Sequence, residues 1–313
     1  MLKRKARGGA RSSSVWTIRR DIVSSDGGRA PVSLYLSAMA RVFMCSSHTI
    51  SGVMPGGPEV SRHALEARLA ACAAAGYEGF WLHWRDYREQ LANGVSAGLL
   101  RALFDRHGMA HRGVEFLTDW FVDGDGAARE AEALAFDAAT AIGAGVVNVG
   151  ADFLGRGFSR RHMIERFAGL CARAADRGLS IALEFAPWSD APDVAAALDF
   201  MAPANAGLAI DAWHVFRGET SLAQIRSLPP EKILCAQIND ATEHAVGPLA
   251  EDTRRRLFCG EGAFDLTGFA AALDAAGAAA PFSVEIISPA VAAMPLEEAA
   301  RRSYATARAA FTI

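Results

Sequence analysis

The sequence lacks any hydrophobic run long enough to cross a membrane, and it carries little net charge. No apolar stretch approaches the roughly 20 residues of a transmembrane helix. The 32 basic and 35 acidic side chains leave a formal net charge of −3, which argues against general binding to nucleic acids, because these attract strongly basic surfaces. We therefore expect a small-molecule substrate, with no nucleic-acid and no membrane partner.

Cysteine is scarce as well, and its distribution gives no disulfide framework. The cysteines are odd in number, scattered and set mostly in apolar surroundings: Cys45, Cys72, Cys171, Cys235 and Cys259. Disulfide frameworks use an even set of cysteines in small secreted chains. We therefore expect free thiols in a reducing compartment, and hence a cytoplasmic protein.

The remaining composition is that of a globular protein with a large core. Of the 313 residues, 51% are hydrophobic and 21% are charged, and about 250 residues suffice for one large barrel. Residues 1–30 differ, because eight Lys and Arg face only Asp21 and Asp26, a net charge of +6. We expect residues 1–38 to form a basic, mobile or loosely packed N-terminal extension, and residues 39–313 to form a single domain.

From about residue 39 onward, segments of strand length alternate with segments of helix length. The predicted strands are Arg41–Cys45, Gly79–Trp84, Gly113–Leu117 and Gly145–Val149, followed by four that end at Glu184, Asp211, Gln237 and Glu285. The predicted helices are Ser61–Ala75, Ser96–Arg106, Ala127–Ile142, Ser159–Asp176, Ala191–Met201, Leu222–Ser227, Leu266–Ala276 and Leu296–Phe311. Strict alternation indicates parallel strands with right-handed crossovers, and the number eight predicts an α/β fold of the (β/α)8 TIM-barrel type.

An open, doubly wound sheet is the alternative arrangement of the same elements. Such a sheet would place a glycine-rich phosphate-binding turn after its first strand. The segment at 51–57, Ser-Gly-Val-Met-Pro-Gly-Gly, does not fit that pattern. The closed barrel is therefore preferred.

Each of the last four predicted strands ends in a side chain that carries a ligand oxygen. Apolar runs lead into Glu184 and Asp211 and, further along the chain, into Gln237 and Glu285. A carboxylate at the end of a strand buried on both faces is costly unless something pairs with it. In a barrel these four strand ends are neighbours on the C-terminal rim, where barrel enzymes place their active sites.

Three carboxylates and one amide in this position predict a site for one divalent cation, because the acids would otherwise repel one another or stay desolvated. Ligation by oxygen alone favours Mn²⁺ or Mg²⁺, with Co²⁺ and Zn²⁺ as further options. The alternative is that each acid simply bonds to neighbouring backbone groups.

Three polar residues near the same half of the rim are candidates for binding the substrate. His214 follows Asp211 by three residues, and it would either donate to a substrate or orient Asp211. Arg256 precedes the glycine-containing turn at 260–262, and together with Arg217 it could contact a carboxylate or phosphate group.

The other half of the rim carries a second set of polar and aromatic side chains: His48, His83, Trp84, Arg85 and Glu115. His83 and Trp84 point to opposite sides of their strand, so only one of them faces the barrel interior; His83 is a substrate-binding candidate, and Glu115 is expected to point inward. Aromatic faces stack on ring-shaped substrates, and the tryptophans that could form such a wall are Trp188, Trp120 and Trp213. Asp240 would either orient the glutamine of the seventh strand or cap the following segment.

Five short motifs resemble one known family in their order and spacing. They are Ala182–Trp188, Asp211–His214, Ala236–Asp240, Arg256 with the turn at 260–262, and Ser283–Glu285. Together they look like the xylose-isomerase-like TIM barrels, the sugar phosphate isomerases and epimerases and their relatives. The resemblance covers residues 40–311 and implies a homodimer or tetramer.

The resemblance implies that Glu184, Asp211, the residue on the seventh strand and Glu285 hold one divalent metal ion. It also implies that Glu184 and Glu285 flank the substrate as the catalytic acid and base. Members of the family usually have His on the seventh strand, whereas this chain has Gln237. Relatives that dehydrate 3-dehydroshikimate resemble this chain in having Gln there.

These features predict a divalent-metal-dependent isomerase or epimerase that acts on a sugar, sugar phosphate or related polyol. A proton next to a carbonyl would be removed through a metal-stabilised enediolate. Loss of a β-hydroxyl from that intermediate is the alternative, which would make the protein a dehydratase (a lyase) of a cyclic keto compound such as 3-dehydroshikimate or an inosose. An apurinic-site endonuclease needs a histidine-rich rim, which the eight histidines hardly supply, and a non-catalytic carbohydrate-binding barrel would lack the metal.

Overall fold

The computed structural model describes residues 41–56 and 60–311. The predicted N-terminal extension, residues 1–38, lies outside the described residues. Eight parallel strands pair in chain order, and the last pairs with the first, which closes the barrel. The predicted TIM barrel is therefore confirmed, and the open-sheet alternative is wrong.

The strands are short and almost completely buried. They are β1 Phe43–Ser46, β2 Gly79–His83, β3 His111–Leu117, β4 Val146–Gly150, β5 Ser180–Glu184, β6 Ala206–Asp211, β7 Ile233–Ile238 and β8 Phe282–Val284. The helices of the described part are α1 Ser47–Ile50, α2 Leu65–Ala75, α3 Trp84–Ala92, α4 Ala97–Arg106, α5 Gly126–Ile142, α6 Arg160–Ala175, α7 Val194–Leu198, α8 Ala212–Arg217, α9 Leu222–Arg226, α10 Leu249–Asp252, α11 Leu266–Ala275, α12 Pro289–Ala292 and α13 Leu296–Phe311.

The helices differ from the prediction in two lengths and in several short additions. The helix predicted at Ser61–Ala75 starts only at Leu65, after Ala64. The predicted helix at 191–201 is reduced to α7, because it starts only after Asp193, whose side chain accepts a hydrogen bond from the amide of Ala196. Helices α1, α3 and α8 begin directly after β1, β2 and β6, where Ser46, His83 and Asp211 cap them. Residues at these strand ends therefore have two structural tasks, as the last inward-facing residue of a strand and as a helix cap.

The hydrophobic core and the state of the cysteines are as the sequence predicts. Apolar side chains between the barrel and its outer helices form one continuous core, as expected for strands buried on both faces. All five cysteines are unpaired and buried, which confirms the predicted free thiols. Among the described helices, none combines the length and apolar character needed to span a bilayer.

Inside the barrel, a small second core fills the layer beneath the C-terminal rim. It contains Met44, Trp81, Ala182, Ala209 and Cys235. Because side chains alternate in direction along a strand, the residue two positions later on each strand also faces inward, one layer nearer the rim. The large Trp81 ring and its small neighbours thus form the floor of whatever site the next layer builds.

Gly113 makes room for that floor, and its replacement should destabilise the fold. A Cβ atom at this position would lie 2.3 Å from the ring of Trp81. We expect Gly113→Ala to lower the free energy of unfolding by about 1–3 kcal/mol, because it overpacks a closed barrel. Gly98→Ala in α4 is the control, since nothing lies within 4 Å of a Cβ there. Equal denaturation midpoints for both variants would contradict this role of Gly113.

Candidate active site

Every strand of the barrel contributes one polar side chain to the layer above the floor. These residues each lie two positions after an inward-facing residue of the floor layer: Ser46, His83, Glu115, Asn148, Glu184, Asp211, Gln237 and Glu285. All except His83 are at most 4% exposed. The four polar side chains predicted at the ends of the last four strands thus belong to a complete polar ring. We call this ring the rim layer.

Glu184 and Asp211 meet at His214. Its Nε2 atom lies 3.2 Å from Oε1 of Glu184 and 3.8 Å from Oδ2 of Asp211. One ligand atom from each of these three residues can be chosen so that all lie within 4.8 Å of one another. The three side chains are therefore close enough to share a cation.

Arg256 connects the other two predicted ligands to this group. Its Nη1 atom lies 2.8 Å from Oδ2 of Asp211 and 2.9 Å from Oε2 of Glu285. The side-chain amide of Gln237 donates a hydrogen bond of 3.0 Å to the same Oε2 atom. The structure thus brings together all four predicted metal ligands in one network, with a guanidinium group between two of the carboxylates.

One orphaned oxygen in this network fits a hard cation. Oε1 of Gln237 is buried and accepts no hydrogen bond from the described residues, and such a buried acceptor is costly, whereas Oδ2 of Asp211 pairs with Arg256. Carboxylate and amide oxygens are the ligands preferred by Mg²⁺, Mn²⁺ and similar ions. The donor types at the four strand ends therefore suit a divalent ion, and among the described residues two groups bring ligand atoms within 4.8 Å of one another: Glu184, Asp211 and His214, and separately His48, Glu115 and Glu285.

Two asparagines that were not predicted as site residues orient the carboxylates. Asn148 donates to Oε2 of Glu184, and Asn239 donates to Oδ1 of Asp211, each at 2.8 Å. The backbone amide of Trp213 donates a further hydrogen bond to Asp211. Asn148 interrupts an otherwise apolar strand, and that interruption was the available sequence signal.

The other half of the rim layer holds a second hydrogen-bonded group. Glu115 points inward as predicted, and its Oε1 atom accepts hydrogen bonds from the hydroxyl of Ser46 (2.9 Å) and the amide of Ser47 (2.7 Å). Nδ1 of His48 lies 3.4 Å from Oε1 of Glu285. Glu285 therefore contacts both halves of the rim layer, with Arg256 on one side and His48 on the other.

The buried acids of the rim layer differ in their tendency to ionise. Burial raises the pKa of Glu184, and the charge of Glu285 adds to the effect. Burial also raises the pKa of Glu115, to about 8. For Glu285 burial acts in the same direction, but the hydrogen bond from His48 and the charge of Arg256 outweigh it and lower its pKa to about 2. Glu285 is therefore ionised, whereas the other two resist ionisation.

A cavity of about 430 Å³ opens above the rim layer. Its lining includes the predicted residues Glu184, Glu285, His83, Trp188, His214 and Arg256. Asp211 and Gln237 lie behind this lining and are at most 1% exposed. Three further arginines line the cavity, namely Arg85, Arg156 and Arg254, and Arg156 is paired with Asp119 of the same lining at 2.6 Å.

The structure places some predicted residues elsewhere. Arg217 does not line the cavity; its guanidinium group binds Asp252 at 3.2 Å and the carbonyl oxygen of Thr242 at 2.7 Å. It therefore anchors the segment after β7 rather than a substrate. Trp120 packs in the outer core and donates to the carbonyl oxygen of Gly150.

Asp240 and Trp213 also have structural roles. The carboxylate of Asp240 accepts hydrogen bonds from the amides of Gly260, Gly262 and Phe264, at 2.9 to 3.0 Å. It caps the segment after β7, which resolves the two alternatives for this residue, and it does not orient Gln237. Trp213 is fully buried beside His214, with ring centres 5.3 Å apart.

Comparison with known proteins identifies the class. Residues 69–310 match the family described as the xylose isomerase-like TIM barrel, and the chain belongs to that family. The prediction from the five motifs is therefore confirmed.

Two curated relatives are similar to this chain. The 3-dehydroshikimate dehydratase of Pseudomonas aeruginosa (strain PAO1) is 30% identical over 253 residues, which are 74% of this chain and 37% of that protein. The 3-dehydroshikimate dehydratase of Pseudomonas putida (strain KT2440) is 28% identical over 155 residues, 48% of this chain and 24% of that protein. At most, the chain spans about a third of the length of the relatives it matches. These homologues are enzymes, which agrees with the prediction of an enzyme.

A solved structure shows the same fold. The IOLI protein, crystallised with a bound zinc atom, is 18% identical and has a TM-score of 0.72, with 86% of this chain and 97% of that chain covered. At that identity the likeness supports the fold alone.

Proposed function

We propose that the chain is a divalent-metal-dependent lyase that dehydrates a cyclic keto acid of the 3-dehydroshikimate type. The observation that carries the proposal is the cavity, in which a carboxylate and amide ligand set lies beneath walls that bear Arg85, Arg156 and Arg254. An arginine-lined wall suits a substrate with a carboxylate. The similarity to two 3-dehydroshikimate dehydratases supports the same reaction.

The cation would be held by Glu184, Asp211, Gln237 and Glu285, and Mn²⁺ or Mg²⁺ suits these oxygen ligands best. When bound, such an ion polarises a carbonyl oxygen and makes the neighbouring C–H bond more acidic. Asn148 and Asn239 hold the carboxylates in place by direct hydrogen bonds, so the ligand set is fixed before a substrate enters.

The protein's own residues would then move the protons. Glu285 lies at the cavity surface in contact with Arg256 and His48, which favour its ionised form, so we assign it as the base for the proton on C4, next to the C3 carbonyl. Glu184 also lines the cavity, so its carboxyl group is the candidate to return a proton to the C5 hydroxyl as it leaves as water.

The atoms of this reaction balance without an oxidant. Removal of the C4 proton and of the C5 hydroxyl expels one water molecule. Transfer of a C6 proton to the C3 oxygen then gives an aromatic ring, 3,4-dihydroxybenzoate. The stability of that ring makes the step essentially irreversible, and no redox cofactor is required.

An isomerase or epimerase is the second candidate, since Glu184 and Glu285 both line the cavity. Two carboxyl groups could remove a proton from a keto-sugar and return it from the other side. Such a substrate would use the same ligand set, and a neutral keto-sugar, unlike a keto-sugar phosphate, would not need the arginine-lined wall.

The test is turnover with defined substrates. Metal-loaded protein is expected to convert 3-dehydroshikimate to 3,4-dihydroxybenzoate, followed by ultraviolet absorbance, and chelation should stop the reaction until Mn²⁺ or Mg²⁺ is restored. Keto-sugars, keto-sugar phosphates and inososes serve as comparison substrates. Turnover of a keto-sugar with none of 3-dehydroshikimate would reject the dehydratase in favour of the epimerase.

A further inference from the structure

His83 is held in one tautomer by the chain that follows it. It is the last residue of β2 and the cap of α3, and its Nδ1 atom accepts a hydrogen bond of 3.2 Å from the backbone amide of Arg85. A ring nitrogen that accepts a hydrogen bond carries no proton. His83 is therefore neutral, and its single proton is on Nε2.

The surroundings keep His83 neutral and its ring in place. Burial lowers the pKa of His83 well below its usual value, and the positive charges of His48, Arg85, Arg68 and Arg88 lower it further. The ring stacks on Trp84 with an interplanar angle of 28°, and its centre lies 5.5 Å from that of His48. The N-terminus of α3 adds a partial positive charge at the same point.

His83 thus offers a fixed N–H donor to the cavity. It lines the cavity, and within residues 41–56 and 60–311 no acceptor forms a hydrogen bond with its Nε2 atom. Arg68 is paired with Asp86, which leaves His48, Arg85 and the N-terminus of α3 as the nearby positive groups. A neutral N–H donor beside them is suited to an anionic acceptor, because both the hydrogen bond and the local field favour negative charge there.

His83 lies across the barrel from the proposed metal ligands, so it would contact the part of a substrate that is farthest from the cation. The ligands are on β5 to β8, whereas His83 is on β2, four strands from β6 around the closed barrel. In a six-membered keto acid whose C3 and C4 oxygens face the cation, the carboxylate on C1 points away from it, since C1 and C4 are opposite ring atoms.

We propose that His83 is the hydrogen-bond donor of a carboxylate subsite on the β2 wall, opposite the metal ligands. The identity of the ring compound rests on the proposed function, but the anion subsite does not. The subsite would select carboxylated rings over neutral rings of the same shape.

The experiment compares binding of 3,4-dihydroxybenzoate with binding of catechol, the same ring without its carboxylate, by calorimetry on metal-loaded protein. Two variants separate the donor from the cap. In His83→Asn the amide can still cap α3, since Asn is a strong N-cap residue, but its side chain is too short to place an N–H where Nε2 is. In His83→Gln the longer side chain brings an N–H close to that position.

We expect His83→Asn to weaken binding of 3,4-dihydroxybenzoate by about 10-fold or more, the effect of losing a hydrogen bond to a charged group. Binding of catechol should not change, and His83→Gln should retain most of the affinity for the carboxylate. Melting curves would show that both variants are folded.

Three outcomes would overturn the subsite: no preference of the wild type for the carboxylate, an unchanged preference in His83→Asn, or equal weakening of both ligands. Turnover is measured separately. A wild type that shows the His83-dependent preference but does not dehydrate 3-dehydroshikimate would reject the proposed reaction and retain the subsite.

Discussion

Replacing Glu285 by Gln should lower kcat by about 10³-fold, which lies within the range for loss of a general base. The substitution preserves the size of the side chain but removes the charge that Arg256 and His48 stabilise. Steady-state turnover and incorporation of solvent deuterium into the substrate would measure the effect. Glu261→Gln is the control, because Glu261 pairs with Arg302 on the surface and lies outside the cavity lining.

Glu285 has two proposed roles, so the metal content of the variant has to be measured with its rate. An amide oxygen can still bind a hard cation, as Gln237 is proposed to do. A variant that keeps its ion but loses turnover would identify Glu285 as the base. Deuterium exchange at an undiminished rate would show that another residue removes the proton.

Removing the carboxylate of Asp211 should cost the protein its cation. Asp211→Ala is expected to weaken divalent-ion affinity by at least about 100-fold, since even residues behind the ligands contribute 10- to 100-fold. Asp211 is fully buried at the centre of the network, with His214, Arg256 and Asn239 around it.

The measurement is titration of the metal-free variant with Mn²⁺ in competition with a chelating dye. Asp193→Asn is the matched control, because Asp193 caps α7, lies outside the cavity lining and Asn caps helices equally well. Asp211 also caps α8, so Asp211→Ala should cost about 0.5–2 kcal/mol of stability, and a melting curve must show that the variant remains folded. Mn²⁺ affinity equal to that of the control would mean that Asp211 is no ligand.

The sequence was sufficient to predict the barrel and the acid or amide side chain at the end of each of its last four strands. Both depend on local patterns: apolar runs of strand length, their strict alternation with helices, and an acid or amide where four of the runs end. Glu184 and Asp211 could be predicted as site residues because burying a carboxylate at the end of a fully buried strand costs free energy unless it has a partner.

Other parts of the site depend on contacts between distant segments. Arg217 follows Asp211 closely in sequence, but its long side chain extends to the segment after β7 and binds Asp252. The role of Asn148 requires the pairing of β4 with β5, which places it beside Glu184. The tautomer of His83 follows from the start of α3 at Trp84, whereas the sequence pattern predicts that the second strand includes Trp84.

Metal analysis of the purified protein, before and after chelation, tests the central proposal most directly. If Glu184, Asp211, Gln237 and Glu285 form one cation site, the active protein should contain about one divalent ion per chain. Chelation should remove the ion and the activity together, and Mn²⁺ or Mg²⁺ should restore both. Full activity in protein freed of divalent ions would contradict the proposal.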